Sequence, residues 1–181
     1  MMKLKAKTSK DVELFNYLVG DFTENLVRIK LTSSLKLGNI IRYGHDPFYA
    51  PNLIKENGEM PMNLDLIEID LATGNAKAIY EVKSATGNER SFKINGKCGE
   101  NMKLALERNI PIYLAVVRLG RELDKNVLKT DLKTNTTYVD EAVYNSELEY
   151  FIHNAKVEIY KYGDFIMNAG KFESTGNFEY L

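Results

Sequence analysis

Val12, Phe15, Val19, Phe22, Leu26 and Ile29 recur three or four residues apart, the interval that lines one face of an α-helix. The pattern predicts a first helix from Thr8 to about Lys30, with Thr8 as its cap and Asp11 three residues on. Glu13 and Glu24 fall far from the apolar stripe and are expected in solvent; Asp21 and Asn25 lie nearer its edge. From Leu31 to Asn57 the pattern breaks up among glycines and prolines. A short strand is expected around Asn39 to Tyr43, then a long loop carrying His45 and Asp46. At Asn63 the period changes to two, and NLDLIEIDLATGNAKAIYEVKSA reads as two strands joined by a tight turn. A helix from about Glu100 to Asn109 follows, with Met102, Ala105 and Leu106 on its apolar side. The unbroken apolar run Ile110 to Val117 then reads as a buried parallel strand reached by a crossover. The order helix, hairpin, helix, strand predicts an α/β fold.

Beyond Arg118 the periodicity weakens. Arg121 to Thr136 is charged and reads as helix plus loop, and Ser146-Glu147-Leu148-Glu149 reads as a capping box opening a short helix. Strand-like pieces flank the Tyr162-Gly163 break, and AGKFESTGNFEYL reads as a loosely held tail.

The turn in the hairpin sets which charges meet. A three-residue loop of two right-handed residues and one left-handed glycine fits Ala72, Thr73 and Gly74, leaving Leu71 and Asn75 as the closing pair. In antiparallel register Ile69 then faces Lys77, Ile67 faces Ile79, and Asp65 faces Glu81. Alternation puts Asp65, Glu81 and Lys83 on one face, with opposed Cβ atoms about 5 Å apart. Two carboxylates held that close call for a proton or a cation between them.

Asp65, a spacer of 15 residues, then Glu81-Val82-Lys83 resembles the PD-(D/E)xK pattern of the restriction-endonuclease-like nuclease superfamily. The usual proline beside the acid is displaced to Pro61. A second Asp-x-Lys, at Asp131-Leu132-Lys133, lacks both an apolar strand and an opposed acid. The resemblance spans about residues 8–118 and implies a three-layer core, a mixed central sheet flanked by helices, with 119–181 elaborating a single domain of residues 1–181. It implies a metal-dependent endonuclease hydrolysing DNA phosphodiester bonds, leaving a 5′-phosphate and a 3′-hydroxyl. Asp65, Glu81 and the Val82 carbonyl would hold Mg²⁺, for which Mn²⁺ can substitute, and Lys83 would position the attacking water. Some members add an acid from the first helix, for which Asp21, Glu24 and Glu13 are the candidates. Arg90, Lys93, Lys97 and Lys103 follow the motif and would grip phosphates. The resemblance further implies a homodimer on double-stranded or branched DNA. The rivals are a ribonuclease and a non-catalytic nucleic-acid-binding or assembly module on the same fold.

Composition narrows the setting. With 24 basic and 25 acidic residues the net charge is −1, so any surface for nucleic acid must be a local patch. The single cysteine, Cys98, excludes an internal disulfide framework and suits a reducing interior. No apolar run approaches the roughly 20 residues that cross a bilayer. No membrane partner is expected, and the protein is expected to be cytoplasmic.

Overall fold

The computed structural model describes residues 9–34, 39–42, 65–73, 75–93, 96–134, 136–168, 170–174 and 176–181. The proposed Thr8 cap, Pro61, the left-handed position at Gly74 and the loop with His45 and Asp46 lie outside them.

Helix α1 (Ser9–Ser34) is followed by β1 (Ile40–Arg42), β2 (Leu66–Ile69), β3 (Ala76–Ala85) and β4 (Ser91–Lys93). Then come α2 (Gly96–Glu107), β5 (Ile112–Arg118), a 3-10 turn at Lys125–Val127, β6 (Leu128–Asp131), β7 (Thr136–Val139) and α3 (Glu141–Asn154). Strands β8 (Lys156–Lys161), β9 (Phe165–Asn168), β10 (Lys171–Ser174) and β11 (Glu179–Tyr180) complete the described elements. Six strands form a mixed central sheet in the order β1-β2-β3-β5-β8-β11. Within it β3 and β5 run parallel, joined through α2, and the other neighbours are antiparallel. The crossover read from the sequence is therefore present.

Each face of this sheet buries its own apolar layer. Ala78, Tyr80 and Val82 of β3 pack with Leu18, Phe22 and Leu26 of α1 and Phe151 of α3. Ile79 and Ala85, pointing the other way, pack with Met102 and Ala105 of α2 and with Phe165 and Phe172. The latter belong to β9 and β10, which with β4 form a second, three-stranded sheet. Helix α2 stops where Asn109 turns left-handed (φ 57°), which lets the Ile110 N–H reach back to the Ala105 carbonyl at 3.0 Å.

Four expectations are corrected. The buried arc of α1 is wider and rotated: Leu18, Thr23, Glu24, Val27 and Leu31 are buried, while Val12 is 48% exposed. Packing against β1, the sheet and α3 encloses more than one side of its C-terminal half, whereas its start projects. Residues 121–136 form mainly the β6–β7 hairpin rather than helix plus loop. Helix α3 begins earlier than the Ser146 box because Asp140 caps it, its carboxylate accepting from the Ala142 and Val143 N–H groups at 3.1 and 3.2 Å. The C-terminal segment is a pair of strands with Phe172 fully buried, not a loose tail. No described helix is long and apolar enough to cross a membrane.

Candidate functional site

The hairpin keeps the predicted register at Ile67 and Leu66 and loses it at the turn. Leu66 faces Tyr80 and Ile67 faces Ile79, but Ile69 faces Ala76, because a bulge leaves Lys77 without a partner across β2. The closing contact moves to Asp70 and Asn75 (N···O 2.9 Å), so the loop has one residue more than expected. Asp70 makes this turn by accepting from the Ala72 and Thr73 N–H groups at 2.8 and 3.2 Å, which holds its carboxyl below the ordinary range. Asp65 lies at a bend just ahead of β2, one step beyond the last paired residues, Leu66 and Tyr80.

β3 runs on to Ala85 along β5, and its described pairing with β2 ends at Tyr80. There the Asp65 Oδ2 accepts the Val82 N–H at 2.7 Å. A notch of about 410 Å³ lies beside it, lined by Gly20, Thr23 and Glu24 of α1, Asp65, Val82, Lys83 and Ser84, and Phe92 and Lys93 of β4. Gly20 leaves the helical wall bare, since a Cβ built there meets no atom within 4 Å. Thr23 turns its hydroxyl back onto the Val19 and Gly20 carbonyls.

Glu81 and Lys83 point to the α2 side of the sheet. Lys83 Nζ donates to Glu81 Oε1 and lies 5.9 Å from the centre of the Phe172 ring. Glu81 is only 3% exposed, so its charge depends on this pairing rather than on water. The cleft thus draws on Glu24 from the α1 side, Asp65 at the sheet edge and Lys83 from the α2 side, while Glu81 lies buried behind Lys83 and outside the cleft lining.

Of the first-helix acids, Glu13 is exposed as expected. Glu24 is not: it is 6% exposed and accepts two hydrogen bonds from Arg42, at 2.7 and 3.1 Å. Asp21 shares the same guanidinium at 2.7 Å. Burial alone would lower the Arg42 pKa, but its hydrogen bonds to Asp21 and Glu24 outweigh it and raise it. The helical wheel misplaced Glu24 because it carried no information on β1, which delivers Arg42.

Lys93 reaches the cleft, whereas Arg90 and Lys103 are exposed outside its lining. The Lys97 and Cys98 side chains lie outside the described residues. The Asp131-Leu132-Lys133 copy sits at the tip of the β6–β7 hairpin with Leu132 91% exposed, far from any such arrangement.

One cluster gave no sequence signal. Arg118, ending β5, donates to Glu158 Oε2 through Nε and Nη2 (3.1 and 2.9 Å) and to the Gly87 and Glu89 carbonyls through Nη1 (2.9 and 2.7 Å). The Tyr160 hydroxyl donates to the same Glu158 oxygen at 2.8 Å. These bonds tie the 86–90 loop, and through it β4, to the central sheet. The partners of Arg118 lie 29 to 40 positions away, beyond any local pattern.

No protein-family model, curated protein or solved structure matches the chain. Among the described residues, no group of three or more His, Cys, Asp or Glu side chains is gathered as a metal-holding set. The set implied by the resemblance needs only two carboxylates and a carbonyl.

Proposed function

We propose that the chain is a metal-dependent endonuclease of restriction-endonuclease-like architecture, hydrolysing DNA phosphodiester bonds at the notch beside β3. What carries the reading is the convergence there of Asp65, the Val82 backbone and Lys83, with Glu24 arriving from α1. The donors are all oxygen, with no histidine or thiolate among them, which fits a hard cation such as Mg²⁺ or Mn²⁺. Asp65 and Glu81 would hold it together with the Val82 carbonyl. Such a cation, when bound, offsets charge on the phosphate and eases deprotonation of water.

The chain's own groups account for the rest. The Lys83 ammonium, anchored by Glu81, stands at the wall of the cleft, where it holds a non-bridging phosphate oxygen and orients the incoming water. Lys93, across the cleft, holds the adjoining backbone. Water adds to phosphorus, the bond to O3′ breaks, and O3′ leaves as a hydroxyl after taking up a proton.

The test is incubation with supercoiled and branched DNA, with and without Mg²⁺, beside Lys83→Ala. Mg²⁺-dependent cleavage that falls at least 100-fold in the variant is expected, by analogy with the loss of a transition-state contact. Cleavage by the variant at the parental rate overturns the assignment. RNA of the same sequence separates a ribonuclease, and sedimentation tests the proposed homodimer.

A second reading has its own observation: Asp65 engages a backbone N–H and Glu81 engages Lys83, so the motif's charges also serve the fold. A binding module without catalysis predicts that Glu81→Gln with Lys83→Met, which removes both charges together, retains nucleic-acid affinity and that the parent shows no cleavage with any divalent cation.

A further inference from the structure

The notch does not end at Ser84. It adjoins a second cavity of about 470 Å³, and the two share Ser84 and Phe92 as a common wall. This chamber lies between the first half of α1, the end of β3 with the loop after it, and the 119–125 segment. Its volume falls in the range of small-ligand pockets, about 300–1,000 Å³.

The two compartments differ in chemistry. The notch is charged, lined by Lys83 and Lys93 together with Asp65 and Glu24. The chamber is walled by Val12, Val19, Phe92, Leu119 and Leu123, with the Asn16 carboxamide adding hydrogen-bonding capacity. Its rim charges favour a neutral occupant: Glu122 and Lys125 pair at 3.2 Å, and Glu89 accepts the Gly87 N–H beside Arg118. With the phosphate assigned to the notch, the apolar, edge-polar chamber beside it has the character of a base site. Ser84, next to Lys83 on β3, lines both cavities, so a base in the chamber adjoins a phosphate in the notch.

We infer that the chamber is a binding site for one unstacked nucleobase whose phosphate lies in the notch. The inference rests on the nucleic-acid reading of the notch and narrows its substrate class: the strand engaged there is single-stranded or branched, not part of a continuous duplex. A base reaches such a chamber only after leaving its stack, and an unpaired strand has no pairing to give up. Apolar walls accept the face of any base, and Asn16 is placed for its edge.

The test is binding by fluorescence anisotropy in Ca²⁺, which makes turnover unnecessary. The probes are a short single-stranded oligodeoxynucleotide, a strand of equal length and charge carrying abasic residues, and a blunt duplex. The base-bearing strand is expected to bind at least ten-fold more tightly than the abasic strand and more tightly than the duplex. Val12→Glu, at a half-exposed position that does not endanger folding, is expected to remove most of that preference and leave abasic binding within about two-fold. Equal affinity for the base-bearing and abasic strands, or a Val12→Glu variant retaining the full preference, overturns the chamber alone. Failure of all three probes to bind removes the notch reading and the chamber with it.

Discussion

Lys83 carries two tasks, and they pull in different directions. Its ammonium neutralises a carboxylate that the sheet has almost sealed from water, and it also faces the cleft. Breaking a buried pair from one side leaves an uncompensated charge, so loss of activity in Lys83→Ala must be compared with its stability. Gly20 offers a cleaner probe. In mid-helix a glycine costs about 0.5–1 kcal/mol relative to alanine, yet nothing in the packing demands it, since its missing Cβ meets open space. Gly20→Ala is expected to raise stability in urea unfolding by up to about 1 kcal/mol while lowering DNA cleavage, because the added methyl narrows the notch. A gain in stability with unchanged cleavage would mean that substrate does not approach that wall.

Among elements, β10 most changes the picture of the C-terminal segment. Phe172 fills the layer between the central and small sheets, packs edge-to-face with Phe165 at 5.6 Å, and lies under Lys83. Phe172→Ala is therefore expected to cost about 3–5 kcal/mol, the usual range for emptying a buried phenyl site. A loose tail would lose almost nothing, and thermal unfolding distinguishes the two. Because β10 pairs with β4, the same substitution is expected to disturb Phe92 and Lys93 at the cleft. The hairpin shows a related lesson. Its turn is built by the Asp70 carboxylate with an extra loop residue, and the bulge at Lys77 restores the register before Ile67 and Ile79 meet. The buried faces of β2 and β3 fix that register more strongly than the turn does, because a one-residue slip would exchange the side chains of the two packed layers.

At the scale of the whole molecule, long-range ion pairs join segments that the sheets leave apart. Glu147 of α3 accepts from Arg121 at both oxygens (2.8 Å each) and from the Asp124 N–H at 2.9 Å, closing the segment after β5 onto the helix. The Arg121 hydrogen bond, aided by the Asp124 N–H, holds the Glu147 carboxyl below the ordinary value of 4.5. A folded-state value below the unfolded one means that this contribution is complete above the ordinary glutamate range and is lost as pH falls through the folded value. Urea unfolding from neutral to acid pH is expected to show the parent's advantage over Glu147→Gln shrinking as pH drops below about 4.5. A constant difference would show that the charge is not responsible. With a net charge of −1, affinity for nucleic acid is likewise expected to come from the local cations at the cleft and to weaken steeply with salt.

Much of this was legible in the order of residues. The period-two strands, the parallel strand after α2 and the facing of Ile67 by Ile79 follow from side-chain alternation and apolar faces, which are local properties. The burial of Glu24 was not legible, nor was the Arg118 anchor, nor the strands that take up the C-terminal segment. Each depends on a partner brought from far along the chain: Arg42 to Glu24, Glu158 to Arg118, β4 to β10. Local pattern determines which way a side chain points, because backbone geometry repeats every two or 3.6 residues. Only the packed layers decide what it meets there, because burial and charge pairing depend on every element that closes around it.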